Sequence, residues 1–86
     1  MTNILAIKQD LVRRTRLRRK EAKLSQAALA SRAGVSLGSL KRFEQTGEIA
    51  LSSFIRIAYV LGYEHDLEQL LTRKNYQSLD EIINAK

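Results

Sequence analysis

The chain has 86 residues, room for one small domain, and with no cysteine, no proline and four glycines it excludes a disulfide framework or thiolate metal site and favours helices joined by short turns. Its net charge of +6 is uneven: residues 1–45 carry 11 Lys or Arg against 3 Asp or Glu, a balance of +8, while residues 46–86 carry 4 against 6, a balance of −2. The first half is an electrostatic footprint for a polyanion and the second is not.

Ile4, Ile7 and Leu11 recur at helical spacing, and good helix formers continue to Lys23. This predicts a first helix from Asn3 to Ala22. Arg13, Arg14, Arg16, Arg18, Arg19 and Lys20 load its second half, where the negative end of the helix dipole favours cations without any ligand. Ser25 is a good N-cap, since its hydroxyl accepts from a free first-turn N–H, and a short helix over residues 26–33 follows. Gly34 stops it, because glycine takes the left-handed conformation readily. Ser36 caps a third helix predicted over residues 37–45, ended by Thr46 and Gly47. Leu37, Leu40 and Phe43 form one stripe of that helix, and Lys41 and Arg42 point elsewhere.

Residues 48–50 read as a loop, and Leu51 or Ser52 begins a fourth helix. Leu51, Phe54, Ile55, Ala58 and Leu61 follow an i, i+3, i+4, i+7 pattern up to Gly62. Asp66 is placed to cap a fifth helix over residues 67–71. Beyond it, Ser78-Leu79-Asp80-Glu81 fits a capping box opening a short helix to Asn84. The predicted organisation is a domain over residues 1–73 with a tail or short helix over residues 74–86.

Two short helices joined by a glycine-containing turn follow helix-turn-helix grammar. The steep crossing demands small residues at the contact, which Ala30 and Gly34 supply, with Val35 plugging the turn. The second helix must then offer polar groups on its outward, N-terminal side, where base edges lie. Ser36, Ser39, Lys41 and Arg42 qualify.

The residues carry more than the spacing. The Leu24-Ser-Gln opening, the Leu29-Ala pair, Ala33-Gly-Val-Ser and the closing Phe43-Glu are a specific combination. The chain resembles the XRE family, the helix-turn-helix domains of Cro and the phage repressors, over roughly residues 15–71. The resemblance implies an all-α, five-helix Cro/repressor-like fold, a third helix entering the major groove of double-stranded DNA, and a homodimer on a two-fold operator. It assigns Gln26 to a phosphate contact that also braces the recognition helix. Ser36, Leu37, Gly38, Lys41 and Arg42 match positions that face the bases, and Ser25, Ser39, Arg18 and Lys20 are the further phosphate candidates. Leu37 and Gly38 depart from the well-known phage members, which carry polar readers there. Leu37 either touches a thymine methyl or belongs partly to the core, and Gly38 admits a close backbone approach. Lys41 is the leading base reader and Arg42 the next. Arg19 and Glu44 match a family ion pair that bridges the first helix to the end of the third.

Residues 39–62 also look like HipB-type regulators, which are paired with HipA-type kinase toxins. Three readings follow: a stand-alone repressor, an antitoxin that also represses its operon, and a protein-interaction module without DNA binding. Tyr59, Tyr63, Leu67, Leu70 and Leu71 are the apolar candidates for a dimer surface; the alternative is that they close the monomer core. In the tail, Tyr76, Leu79, Ile82 and Ile83 either dock on a protein partner or pack back on the fifth or first helix.

Chemistry is excluded residue by residue. His65 is a lone histidine, and no paired carboxylates, nucleophile elbow or phosphate-cradling glycine loop is present. Ser25, Ser36 and Ser78 are explained as caps. No enzyme activity, cofactor or metal is expected. Apolar stretches are too short to span a bilayer, and Lys8 and Asp10 interrupt any signal-type segment. The expected location is cytoplasmic, on the nucleoid.

Overall fold

A computed structural model describes residues 3–74. Five helices occupy them: α1 (Ile4–Glu21), α2 (Gln26–Ala33), α3 (Leu37–Thr46), α4 (Leu51–Val60) and α5 (Glu64–Gln69). Among the described residues there is no strand. The fold is the all-α, five-helix arrangement of Cro and repressor domains. The capping box at Ser78 and the rest of residues 75–86 lie outside the described residues.

Short-range capping sets most of the boundaries. Asn3 caps α1 by accepting from the Ala6 N–H at 2.8 Å, so the helix begins at Ile4. Arg18, Arg19 and Lys20 occupy its last turn, beside the carbonyl end of the dipole. Ser25 accepts from the Ala28 N–H at 3.0 Å to open α2, and Ser36 accepts from the Ser39 N–H at 3.0 Å to open α3. Gly34 closes α2 at φ 70°, and the Val35 N–H reaches back to the Ala30 carbonyl at 3.0 Å. The α1–α2 turn uses the same device with a less suitable residue. Lys23 sits at φ 60°, and the Leu24 N–H reaches the Arg19 carbonyl at 3.1 Å.

Three boundaries or faces differ from expectation. α3 runs through Thr46 rather than stopping at Gln45, since the Thr46 hydroxyl donates to the Arg42 carbonyl at 2.7 Å and Gly47 makes the stop. α5 begins at Glu64, not Leu67, and Asp66 lies inside its first turn rather than at its cap. The cause is the tight end of α4. The Gly62 N–H bonds the Tyr59 carbonyl and the Tyr63 N–H the Ala58 carbonyl, so the chain is already turned at Tyr63 and re-enters a helix at once. Glu64 and Asp66 then both face the positive end of the new helix. On α4 the expected stripe meets the core at Phe54, Ala58 and Leu61, but its first turn does not and Ile57 joins it. Ile57 is fully buried and Ala58 buried, whereas Leu51 is 72% exposed and Ile55 faces outward. Ser52 and Arg56 keep the opposite face exposed, and Ile57 lies between that face and the expected stripe, where the pattern alone did not place it.

Leu29, Leu40 and Ile57 are the fully buried centre, one each from α2, α3 and α4. Ala30, Ala33 and Phe43 complete the cluster, with Val12, Leu24, Val35 and Phe54 packed around it. α2 lies against both α3 and α4; α1 packs on α3, and α5 on α4. Phe43 and Phe54 meet with ring centroids 5.6 Å apart at 60°, which ties α3 to α4. The front of α1 stays outside this core: Ile4 is 78% and Ile7 48% exposed.

Candidate nucleic-acid interface

The site is assembled around one carboxylate. Glu44, on the last turn of α3, is buried, and Arg19 of α1 grips it in a two-pronged pair. Arg19 Nε donates to Glu44 Oε2 at 2.9 Å and Nη2 to Oε1 at 3.1 Å. The third guanidinium arm, Nη1, donates to the Leu24 carbonyl at 3.0 Å, in the α1–α2 turn. Gln26, the first residue of α2, donates through Nε2 to Glu44 Oε1 at 2.9 Å. Arg16 adds a looser ion pair at 3.6 Å. Planar, bidentate geometry of this kind fixes direction as well as distance. α1, α2 and α3 are therefore tied at one point, and the amide of Gln26 is held against α3.

Packing sets the other end of α3. Ala30 is buried at the α2 side of the turn, and Val35 packs on the core. Arg56 of α4 reaches the turn from behind, donating through Nη1 to the Gly34 carbonyl at 3.4 Å. Neither Arg56 nor Arg16 was assigned a role from sequence. Arg56 carries no local signal, since its partner lies 22 residues away. Arg16 precedes Arg19 by three residues, the spacing that shares a helix face.

The outward side of α3 is open. Lys41 and Arg42 are exposed, and among the described residues neither forms an ion pair. A Cβ built on Gly38 would meet nothing within 4 Å, so glycine there is not a packing requirement. Leu37 is 37% exposed, split between core and surface. Ser36 is exposed and Ser39 half-buried beside it. Ser25 and Gln26 open α2, whose first N–H groups have no partner within the helix and favour an anion.

Much of the positive charge of α1 is answered internally. Arg13 and Arg14 pair with Asp10, Arg16 and Arg19 with Glu44, Arg18 with Glu21, and Lys8 with Glu48. Glu21, hydrogen-bonded to Arg18, and Tyr63 near it raise the guanidinium above its ordinary value. Arg18 lines a trough with Phe54, Tyr63 and Leu67, away from the residues gathered at α3, and Lys20 lines a different cleft beside Gln45. Among the described residues of the basic half, Lys20, Lys23, Arg32, Lys41 and Arg42 have no acidic partner.

The family model described as Helix-turn-helix matches residues 16–67, more than half of the chain. The chain belongs to the XRE-type helix-turn-helix family. It is thus a DNA-binding transcription regulator of that type, and the family's domain is non-enzymatic. The match begins at Arg16 in α1 and ends at Leu67 in α5, so it takes in Arg19, Gln26 and Glu44 together with the whole of α2 and α3. No curated protein and no solved structure matches the chain. Among the described residues, no helix is long and apolar enough to cross a membrane, and no group of metal-ligating side chains gathers.

Proposed function

We propose that this chain is a sequence-specific repressor that binds duplex DNA as a homodimer, with α3 laid in the major groove. The observation that carries the reading is the contrast along α3. Its C-terminal end is anchored by Glu44 to Arg19 and Gln26, while its outward face carries Lys41 and Arg42 without partners among the described residues. A recognition helix needs this combination of fixed tilt and free donors.

In this reading Lys41 donates to a guanine edge, with Arg42 beside it, and Leu37 contributes an apolar contact suited to a thymine methyl. Ser36 and the open backbone at Gly38 lie at the groove floor. Gln26, Ser25 and Ser39 meet phosphates, with Lys20 at the flank. Arg18 is the weakest member of the set, because it is paired with Glu21 and faces the α5 side. The second copy would sit on the outer stripe of α4, where Leu51, Ile55 and Tyr59 are exposed at i, i+4, i+8 spacing, with Leu71 beyond it. A two-fold partner buries such a stripe against itself and spaces two recognition helices about 34–36 Å apart.

The test is selection of a duplex from genomic fragments, followed by titration at two salt concentrations. Each neutralised phosphate releases counterions, so affinity should fall steeply with salt. Binding that ignores salt, or no selected duplex at all, contradicts the proposal. Sedimentation with and without that duplex checks the dimer.

A second reading, an antitoxin of HipB type with a HipA-type kinase toxin as partner, rests on the likeness of residues 39–62 and on the negative second half of the chain. A DNA-facing surface must stay basic, whereas a protein-facing one need not. Co-purification of the chain with the product of the neighbouring gene decides it.

A further inference from the structure

A cleft runs between α1 and the last turn of α3. On the α1 side it is lined by Arg13, Arg16 and Lys20, which stand at i, i+3, i+7 and so share one helix face. Gln45, Thr46 and Gly47 line the other side, together with the buried Glu44. Gln45 also belongs to the open face of α3. Gly38, Lys41, Arg42 and Gln45 stand at i, i+3, i+4, i+7, and Gln45 is exposed like Lys41 and Arg42. The outward face of α3 therefore continues into the cleft.

Positive charge around the cleft exceeds the carboxylates that answer it. Two carboxylates serve four arginines: Asp10 is shared by Arg13 and Arg14, and Glu44 by Arg16 and Arg19. Lys20 has no acidic partner among the described residues, while Lys8, which also lines the cleft, is matched by Glu48. The two arginines on the wall can turn to another anion at little cost. Arg13 meets Asp10 in a surface pair with its own side chain 64% exposed, and such pairs hold weakly. Arg16, 49% exposed, stands 3.6 Å from a carboxylate whose two oxygens already take Arg19 and Gln26, so its departure leaves Glu44 hydrogen-bonded.

We infer that this cleft seats the sugar–phosphate backbone of the duplex beside the segment that α3 reads, with Arg13 and Arg16 as phosphate donors next to Lys20, a role that rests on the reading of α3 as the recognition helix. Charge and spacing select this occupant. A guanidinium fork matches a pair of phosphate oxygens. The row from Arg13 to Lys20 is about 10 Å long, a length over which one DNA strand presents about three phosphates along the duplex axis. Phosphates carry no sequence information, so this tract adds affinity for every duplex alike and leaves discrimination to α3.

The test uses the full chain with the selected duplex and a scrambled one. Affinity is measured against salt for the parent, for Arg13→Gln with Arg16→Gln, and for Arg13→Lys with Arg16→Lys. Each neutralised phosphate contributes about 0.9 to the slope of log affinity against log salt. The glutamine pair should lower that slope by about 1–2 and weaken both duplexes by the same factor. The lysine pair should keep the parent's slope. Arg13→Gln alone, which leaves the Glu44 cluster untouched, should lower the slope by about 1, and this separates a lost phosphate contact from a shifted α3. Ethylation of single phosphates locates the tract: flanking phosphates whose ethylation blocks the parent should have no effect on the glutamine pair. Slopes and ethylation patterns that match the parent's in both glutamine variants overturn the inference and leave α3 as the reader. A loss confined to the selected duplex also overturns it, in favour of a change at the base-reading face. A parent chain that selects no duplex overturns it together with the reading beneath it.

Discussion

Gln26 and Glu44, 18 residues apart, are joined by a 2.9 Å hydrogen bond that holds the first residue of α2 against the last turn of α3. The same carboxylate takes two donors from Arg19. One side chain therefore sets the relation of three helices. Glu44→Ala would leave Arg19 buried with its charge unanswered, a loss of about 3–5 kcal/mol. Gln26→Ala removes a single bond to a charged group, about 1.5–3 kcal/mol at most. Urea unfolding checks both, and the Glu44 variant is expected to unfold at much the lower midpoint. Equal midpoints for that variant and the parent would show that the cluster does not hold the helices.

The contrast between Ile55 and Ile57 on α4 gives a second expectation. Ile57 is fully buried in the same cluster as Leu29 and Leu40, while Ile55, two residues earlier, is exposed. Ile57→Ala should cost about 2–5 kcal/mol, the range for emptying a packed site. Ile55→Ala should stay within about 1 kcal/mol in the monomer. If Ile55 belongs to a dimer surface, its substitution lowers the association constant and leaves the unfolding midpoint of the isolated chain nearly unmoved. Thermal melts and sedimentation together separate the two effects.

A third expectation concerns a backbone mismatch. Lys23 holds a left-handed conformation at φ 60° with an exposed side chain. For a residue with a Cβ this costs roughly 1–2 kcal/mol, and glycine is free of it. Lys23→Gly should therefore stabilise the chain by about 1 kcal/mol, after glycine's greater freedom in the unfolded state is set against the relief. The reverse outcome, a lower melting temperature, would mean that the lysine contributes more through its charge or stem than its backbone loses. At Gly34 the opposite change, Gly34→Ala, should destabilise by a similar amount, and Arg56 Nη1 would stand 3.5 Å from the added carbon.

The helix-turn-helix was legible because its punctuation is local. Ser25, Gly34 and Ser36 each act on N–H or carbonyl groups within four residues, and α2 begins and ends where they place it. The start of α5 was not legible for the same reason turned round. Asp66 has the right chemistry for a cap, but hydrogen bonds from Gly62 and Tyr63 back into α4 turned the chain earlier. On α4 the expected stripe was right at Phe54, Ala58 and Leu61 and missed Ile57, because apolar residues also stand at 51, 55 and 59 and the apolar pattern is wider than the face the core covers. At the site, no periodicity links Arg19, Gln26 and Glu44, which lie on three helices. Only the family resemblance puts them together in sequence. The pairing of Arg16 and Arg19 was invisible to local spacing too, since it depends on where Glu44 comes to rest, whereas Arg13, Arg14 and Arg18 pair at i, i+3 or i, i+4 spacing that the sequence displays.

The central claim is that the exposed face of α3 reads sequence while the start of α2 holds the backbone. It is tested most directly by titrating the selected duplex and a scrambled duplex of equal length with the parent, Lys41→Ala and Gln26→Ala at one fixed salt concentration. The expected result is that Lys41→Ala loses about 1–3 kcal/mol on the selected duplex and little on the scrambled one. Gln26→Ala should weaken both by similar factors. Parallel losses on both duplexes for Lys41→Ala, or none on either, would contradict the account.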